Sequence, residues 1–172
     1  MRTALSLLLL GSLAAGRVVA QTPSVGLSAD AVVVTGGIAI VSVASLSFGQ
    51  VSRGIPTTVT ATSANAAQFD ATGSGNAYAS ITVALPTSLT NIQTLPGSAI
   101  PIAFGGGSAL WRQATNDPFG ATAFDPASGT VGRFGPGTNP HLYIWIGGTV
   151  NPDVTAKPGI YQGDIVVTLT YL

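Results

Sequence analysis

The segment Gly159-Ile-Tyr-Gln-Gly-Asp-Ile-Val-Val-Thr-Leu-Thr-Tyr-Leu172 decides the fold. Apolar and polar residues alternate along it, which is the repeat of a half-buried β-strand. The opposite face is polar except for Val166, and the apolar face would carry Tyr161, Ile165, Val167, Leu169 and Tyr171. We expect this closing strand, residues 159–172, to end at or near a sheet edge. Its free N–H and C=O groups must then be paired or covered, because an exposed edge invites another strand.

The rest of the chain has the same character. Val, Ile and Thr are abundant, glycine and proline punctuate them, and no segment after the N-terminal leader has the apolar spacing of a helix. Asn, Asp, Pro and Gly between residues 115 and 129 predict a loop, and Gly147-Gly148 predicts a bulge or kink. Strands are predicted at residues 25–35, 38–48, 57–62, 66–71, 78–85, 88–93, 99–104, 109–113, 130–134 and 142–150. Many short strands between turns predict an all-β sandwich or barrel.

The N-terminus has the features of a secretory signal peptide. Arg2 precedes an apolar run at residues 5–15, and Val18-Val19-Ala20 supplies the small residues of a cleavage site. The run is shorter than the roughly 20 apolar residues of a membrane span. We therefore predict cleavage after Ala20, secretion of the mature chain and no membrane span.

Charge and cysteine usage exclude several kinds of partner. After cleavage the cations would be Arg53, Arg112, Arg133 and Lys157, against six aspartates and no glutamate. So weak a positive field argues against nucleic acid and anionic lipid as partners. A surface poor in charge is also poorly protected against self-association. The chain has no cysteine, which excludes disulfides and thiolate metal sites.

No residue pattern predicts catalysis. His141 is the only histidine, and Ser108 lacks the second glycine of a nucleophile elbow. Asp117 and Asp125 lie in one loop, where oxygen ligands for Ca²⁺ are conceivable, but their spacing matches no EF-hand and aspartates commonly form turns. We therefore expect no enzyme activity, no cofactor and no metal site.

Aromatic residues leave one binding alternative open. Trp111, Tyr143 and Trp145 could form a platform for a sugar, although core packing or an interface is the more frequent use of such residues.

Five motifs in order give the mature chain a resemblance to known proteins. They are Ser45-Leu-Ser-Phe-Gly49, Ala67-Gln-Phe-Asp-Ala-Thr-Gly73, Tyr78-Ala-Ser-Ile-Thr-Val-Ala-Leu-Pro86, Leu142-Tyr-Ile-Trp-Ile-Gly-Gly148 and Pro158-Gly-Ile-Tyr-Gln-Gly-Asp-Ile-Val-Val-Thr-Leu-Thr-Tyr171. The series resembles an uncharacterised domain-of-unknown-function family of secreted bacterial proteins. That family is similar in outline to spore-coat-U-type and chaperone–usher pilin-like β-sandwich domains, and it has no established activity to carry over.

The pilin resemblance implies a specific organisation. After the predicted signal peptide at residues 1–20, it implies an N-terminal extension or donor-like strand at 21–37 and a single immunoglobulin-like, pilin-like antiparallel β-sandwich at 38–172. Such pilins have a glycine near the start of the C-terminal strand and a penultimate aromatic residue, matched here by Gly159 and Tyr171. Their N-terminal extension fills the groove of the next subunit with alternating apolar residues, here Val25, Leu27, Ala29, Ala31 and Val33. The disulfide of many such pilins is absent.

These expectations combine into one leading function and one alternative. The leading function is a non-enzymatic structural subunit of a surface fibre or pilus-like assembly, built by β-strand addition in the periplasm or at the cell surface of a bacterium. Its partners would be copies of itself or related subunits, with a periplasmic chaperone and an outer-membrane usher. In the alternative, residues 25–35 fold back on their own domain. The result would be a self-complemented periplasmic or extracellular sandwich that binds a carbohydrate or a protein.

Overall fold

The computed structural model describes residues 24–31, 37–93 and 98–172, which form sixteen strands and no helix. The all-β prediction is therefore confirmed. The predicted signal peptide and Val33 lie outside the described residues. The strands are β1 (Ser24–Gly26), β2 (Ser28–Ala31), β3 (Ala39–Ala44), β4 (Ser47–Gln50), β5 (Thr57–Val59), β6 (Ala67–Thr72), β7 (Tyr78–Ala84), β8 (Ser88–Asn91), β9 (Ala99–Ala103), β10 (Ala109–Gln113), β11 (Thr122–Phe124), β12 (Thr130–Arg133), β13 (His141–Ile146), β14 (Gly148–Val150), β15 (Tyr161–Gln162) and β16 (Asp164–Tyr171).

The strands pair in three sheets that share long, kinked segments of chain. One sheet has the order β12-β7-β16-β2, a second β11-β10-β13-β6-β3, and a third β4-β1-β15-β8-β9-β14-β5. The closing strand contributes β16 to the first sheet and β15 to the third, with Gly163 between them. The same division occurs between β7 and β8, and between β13 and β14. Long strands thus pass from one sheet to another and tie the sandwich together.

Gly147 marks the kink between β13 and β14, as the sequence predicted. A Cβ atom at this position would lie 2.7 Å from the amide nitrogen of Ala61, a distance that real Cβ atoms do not tolerate. Only glycine allows the backbone of β13 to pass so close to the segment that follows β5.

The core lies between the inward faces of these strands and includes the predicted apolar face of the closing strand. Tyr161, Ile165, Val167 and Leu169 are fully buried, which confirms the alternation. The closing strand is not itself the sheet edge along its first half, because β2 pairs with Asp164–Val167. Beyond Val167, the pairing within the described chain is with β7 alone.

Among the described strands, all ladders except two are antiparallel. The exceptions are β1 with β15 and β2 with β16, which are parallel. Both involve the N-terminal segment, which therefore runs in the same direction as the closing strand.

Candidate functional site: the groove beside the closing strand

The N-terminal strand β1–β2 occupies the groove beside the closing strand of its own chain. Val25 is paired in parallel with Tyr161 on one side and antiparallel with Gly49 on the other. The backbone N–H of Leu27 donates to the carbonyl of Leu46 at 2.7 Å, where the segment passes from one sheet to the next. From Ser28 onward the segment pairs with β16.

Sequence alternation explains how this segment is seated. Val25 and Leu27 are only 2% and 1% exposed, and Ala29 is also buried. Gly26 is partly exposed and Ser28 is exposed. The three buried side chains belong to the same apolar core as those of the closing strand. Of the five donor residues expected from the sequence, these three are therefore placed in the groove.

The structure describes less of the other two predicted donor residues, Ala31 and Val33. Ala31 lies at the end of β2, where its backbone is in register with Val167. Val33 lies outside the described residues.

The C-terminal wall of the groove is built from the predicted pairing residues. Ile165 lies opposite Ala29 of β2, whereas Leu169 lies opposite Ile81 of β7. Tyr171 is partly buried, and its hydroxyl accepts a hydrogen bond from the backbone N–H of Ser74 at 2.6 Å. The penultimate aromatic residue therefore anchors the turn after β6 to the end of the closing strand.

Gly159 lies before the strand rather than in it, because β15 begins at Tyr161. Its φ of +153° lies in a region that favours glycine, and a Cβ atom there would lie 2.9 Å from Cγ of Asn91. The glycine lets the chain approach the end of β8 closely enough for the closing strand to start in register.

One side of β2 carries no ladder partner in the described part of the chain. The sheet order ends at β2, whose one neighbour there is β16. β2 is therefore an edge strand whose free backbone groups can pair with another strand, whereas β1 is paired on both sides, with β4 and β15.

The outer face of the five-stranded sheet carries an aromatic row. The rings of His141 and Tyr143 stack at a centroid distance of 5.4 Å, and those of Tyr143 and Trp145 lie 6.1 Å apart. His141 Nδ1 lies 2.8 Å from a carboxylate oxygen of Asp70 on the neighbouring strand. Burial, and secondarily the negative charge of Asp70, raises the pKa of Tyr143 above its usual value.

A covering loop, residues 114–121, closes over this row. Gln68 on β6 donates to the side chain of Asn116 at 2.6 Å, and Arg112 on β10 donates to the carbonyl of Phe119 at 2.6 Å. Since β13 lies between β6 and β10, the loop crosses the row, and Trp145 is only 4% exposed.

The three aromatic residues of the expected sugar platform do not form one surface. Trp111 is in register with Ile144, which is fully buried, whereas Trp145 is in register with Leu110. Directly paired residues share a face, so Trp111 and Trp145 lie on opposite faces of the sheet. The platform hypothesis is therefore wrong in the form in which the sequence suggested it.

The aspartates considered for calcium are engaged in turn contacts. Asp117 accepts from the backbone N–H of Phe119 at 2.9 Å and forms an ion pair with Arg112 at 3.4 Å. Asp125 accepts from the backbone N–H of Ala127 at 2.9 Å. Within residues 24–31, 37–93 and 98–172, no group of three or more His, Asp or similar side chains could hold a metal ion.

A cleft between β10 and β12 was not predicted from the sequence. It is lined by Tyr78, Arg112 and Arg133, among other residues. One feature of the sequence could have drawn attention to this cleft, namely the scarcity of cations. Two of the four cations expected in the mature chain, Arg112 and Arg133, line it. The sequence alone could not predict that these two arginines are neighbours, since they lie on strands of different sheets.

The comparisons with known proteins add no family assignment: the chain matches no protein-family model and no curated protein. No helix within the described ranges is long and apolar enough to cross a membrane.

Proposed function

We propose that this protein is a non-enzymatic, secreted structural subunit of a surface fibre, assembled by β-strand addition. The observation that carries the proposal is the seating of β1–β2 in the groove, with Val25, Leu27 and Ala29 buried beside the closing strand. In the assembled fibre, the same segment of a neighbouring copy occupies this groove.

The contacts of the groove explain why such an exchange is physically accessible. Every copy carries both the strand and the groove, so an exchange replaces each contact with an identical one. Backbone hydrogen bonds supply affinity, and the alternating side chains enter fixed pockets. A head-to-tail contact of this kind propagates as an open filament when the rotation between neighbouring copies does not close a ring.

The composition of the surface supports packing among copies. Charged residues make up only 7% of the whole chain, and the predicted mature chain would have four cations against six aspartates, a formal net charge of −2. Charge repulsion, which keeps most secreted domains apart, is therefore weak in this protein. By the pilin resemblance, a periplasmic chaperone and an outer-membrane usher would guide the assembly.

A second candidate function is favoured by the pairing within one chain. If β1–β2 never leaves its own groove, the protein is a self-complemented periplasmic or extracellular domain that acts as a monomer. The parallel pairing of β2 with β16 and the deep burial of Leu27 are compatible with this closed state.

Deletion of the N-terminal strand separates the two candidates. We expect the mature protein, starting at Gln21, to elute as a series of oligomers in size-exclusion chromatography and to form filaments in electron micrographs. A variant lacking residues 21–35 should form neither. A synthetic peptide of residues 21–35 should bind the truncated protein, whereas the same peptide with Leu27→Asp should not.

Two results would count against the fibre. A truncated protein that still polymerises would refute assembly through the N-terminal strand. Mature protein that stays monomeric at high concentration would favour the self-complemented domain. Binding of the peptide checks that the truncated protein retains its groove.

A further inference from the structure

A concave cleft lies where the edges of two sheets meet. Its walls come from β10 and β11 of the five-stranded sheet and from β7 and β12 of the four-stranded sheet. Its volume is about 370 Å³, within the range of roughly 300–1,000 Å³ typical of ligand sites. The side chains that matter for its chemistry are Tyr78, Trp111, Arg112, Gln113, Val131 and Arg133.

The cleft concentrates positive charge in a chain that has little. Arg112 and Arg133 both line it, and the lining in the described structure includes no carboxylate. Asp117 partly offsets Arg112 through an ion pair at 3.4 Å, and both side chains are substantially exposed. The acceptors around Arg133 are uncharged, so its positive charge is not offset by contact.

Both guanidinium groups are held in place by the protein. Nη1 of Arg112 donates to the carbonyl of Phe119 at 2.6 Å. Nη2 of Arg133 donates to the side-chain oxygen of Asn76 at 3.0 Å, and its Nε donates to the carbonyl of the same residue at 3.3 Å. Among the described residues, Nη1 of Arg133 and the Nε and Nη2 groups of Arg112 have no acceptor. These groups are therefore available to an anion.

The rim of the cleft is aromatic and apolar. Tyr78 is 55% exposed and Val131 is 49% exposed, which is high for side chains of this kind. The guanidinium carbon of Arg133 lies 5.4 Å from the centre of the Tyr78 ring, so the ring and the cation form one unit. A ligand with a flat apolar ring face and a carboxylate would match both parts of this surface.

We propose that this cleft binds a uronic-acid-containing oligosaccharide. The carboxylate accepts hydrogen bonds from Arg133 and Arg112, because planar guanidinium groups match a carboxylate geometrically. The sugar ring packs against Tyr78 and Val131. The site is independent of strand exchange, because β12 and β2 are the opposite edges of the same sheet.

The test is a binding titration of the mature protein with tetragalacturonate, with the fully methyl-esterified tetrasaccharide as a matched neutral ligand. We expect the acid to bind, the ester to bind at least tenfold more weakly, and added NaCl to weaken binding of the acid. Arg133→Gln should reduce affinity by about tenfold or more, since a hydrogen bond to a charged group is lost. Tyr78→Ala should also reduce affinity. Arg53→Gln, which removes an exposed cation outside the cleft, should leave affinity unchanged.

Several results would overturn the proposal. They are equal affinity for acid and ester, no binding of either, or an equal loss of affinity in Arg53→Gln. Binding of a peptide C-terminal carboxylate in preference to the uronate would assign the cleft to a protein ligand instead. Circular dichroism melting of each variant confirms that the comparison is made between folded proteins.

Discussion

At the scale of single residues, Leu27 is the anchor of the N-terminal strand. It is 1% exposed, belongs to the main core, and lies where the segment passes between two sheets. Sequence alternation was sufficient to predict that its side chain faces inward. What the alternation could not provide is the identity of the partner strand, because period-2 patterning specifies a face and not a neighbour.

Replacement of this anchor should therefore weaken the whole fold. We expect Leu27→Ala to lower the free energy of unfolding by about 2–5 kcal/mol, through lost apolar burial and the cavity left behind. Ser28→Ala, one position away and exposed, should change it by less than about 0.5 kcal/mol. Urea denaturation measures both. Equal effects of the two substitutions would show that β1–β2 is not seated in the groove in solution.

At the scale of elements, the predicted strands exist, but several are shorter than predicted. The run at residues 38–48 is divided between β3 and β4, and the run at 142–150 is divided at Gly147. Local pattern predicts how strongly residues favour a strand, whereas the point at which a strand leaves one sheet depends on distant neighbours. The same reason explains β11, which lies in a segment predicted as loop and is stabilised by pairing with β10.

The kink at Gly147 gives a test at this scale. Gly147→Ala should lower the free energy of unfolding by about 1–3 kcal/mol, because the new methyl group meets backbone atoms that cannot move aside. Gly106→Ala is the matched control, since a Cβ atom there would meet nothing within 4 Å. Thermal unfolding of the two variants should differ clearly. A Gly147→Ala protein as stable as the control would contradict the close approach of β13 to the segment after β5.

At the scale of the whole molecule, the groove that holds the N-terminal segment beside the closing strand is separate from the cleft. The groove with β2 forms one edge of the four-stranded sheet, and the cleft with β12 forms the other. The sequence could predict the N-terminal strand and the closing strand, because each is a continuous run of alternating residues. It could not predict the cleft, whose residues come from positions 78, 112 and 133 and meet only through the fold.

The most direct test of strand addition exploits the absence of cysteine from the chain. Ser28 and Asp164 are exposed and lie opposite each other in the ladder of β2 and β16. Ser28→Cys and Asp164→Cys chains, one of them extended by a tag, are co-refolded from denaturant and oxidised. Ala64→Cys, at an exposed turn remote in sequence from both strands, replaces Ser28→Cys in the control mixture.

Strand addition predicts disulfide-linked dimers containing one chain of each kind, in clear excess over those formed in the control mixture. Two results together would contradict it. The mixture would give no such excess of dimers, and a chain that carries both Ser28→Cys and Asp164→Cys would form its disulfide only within single chains.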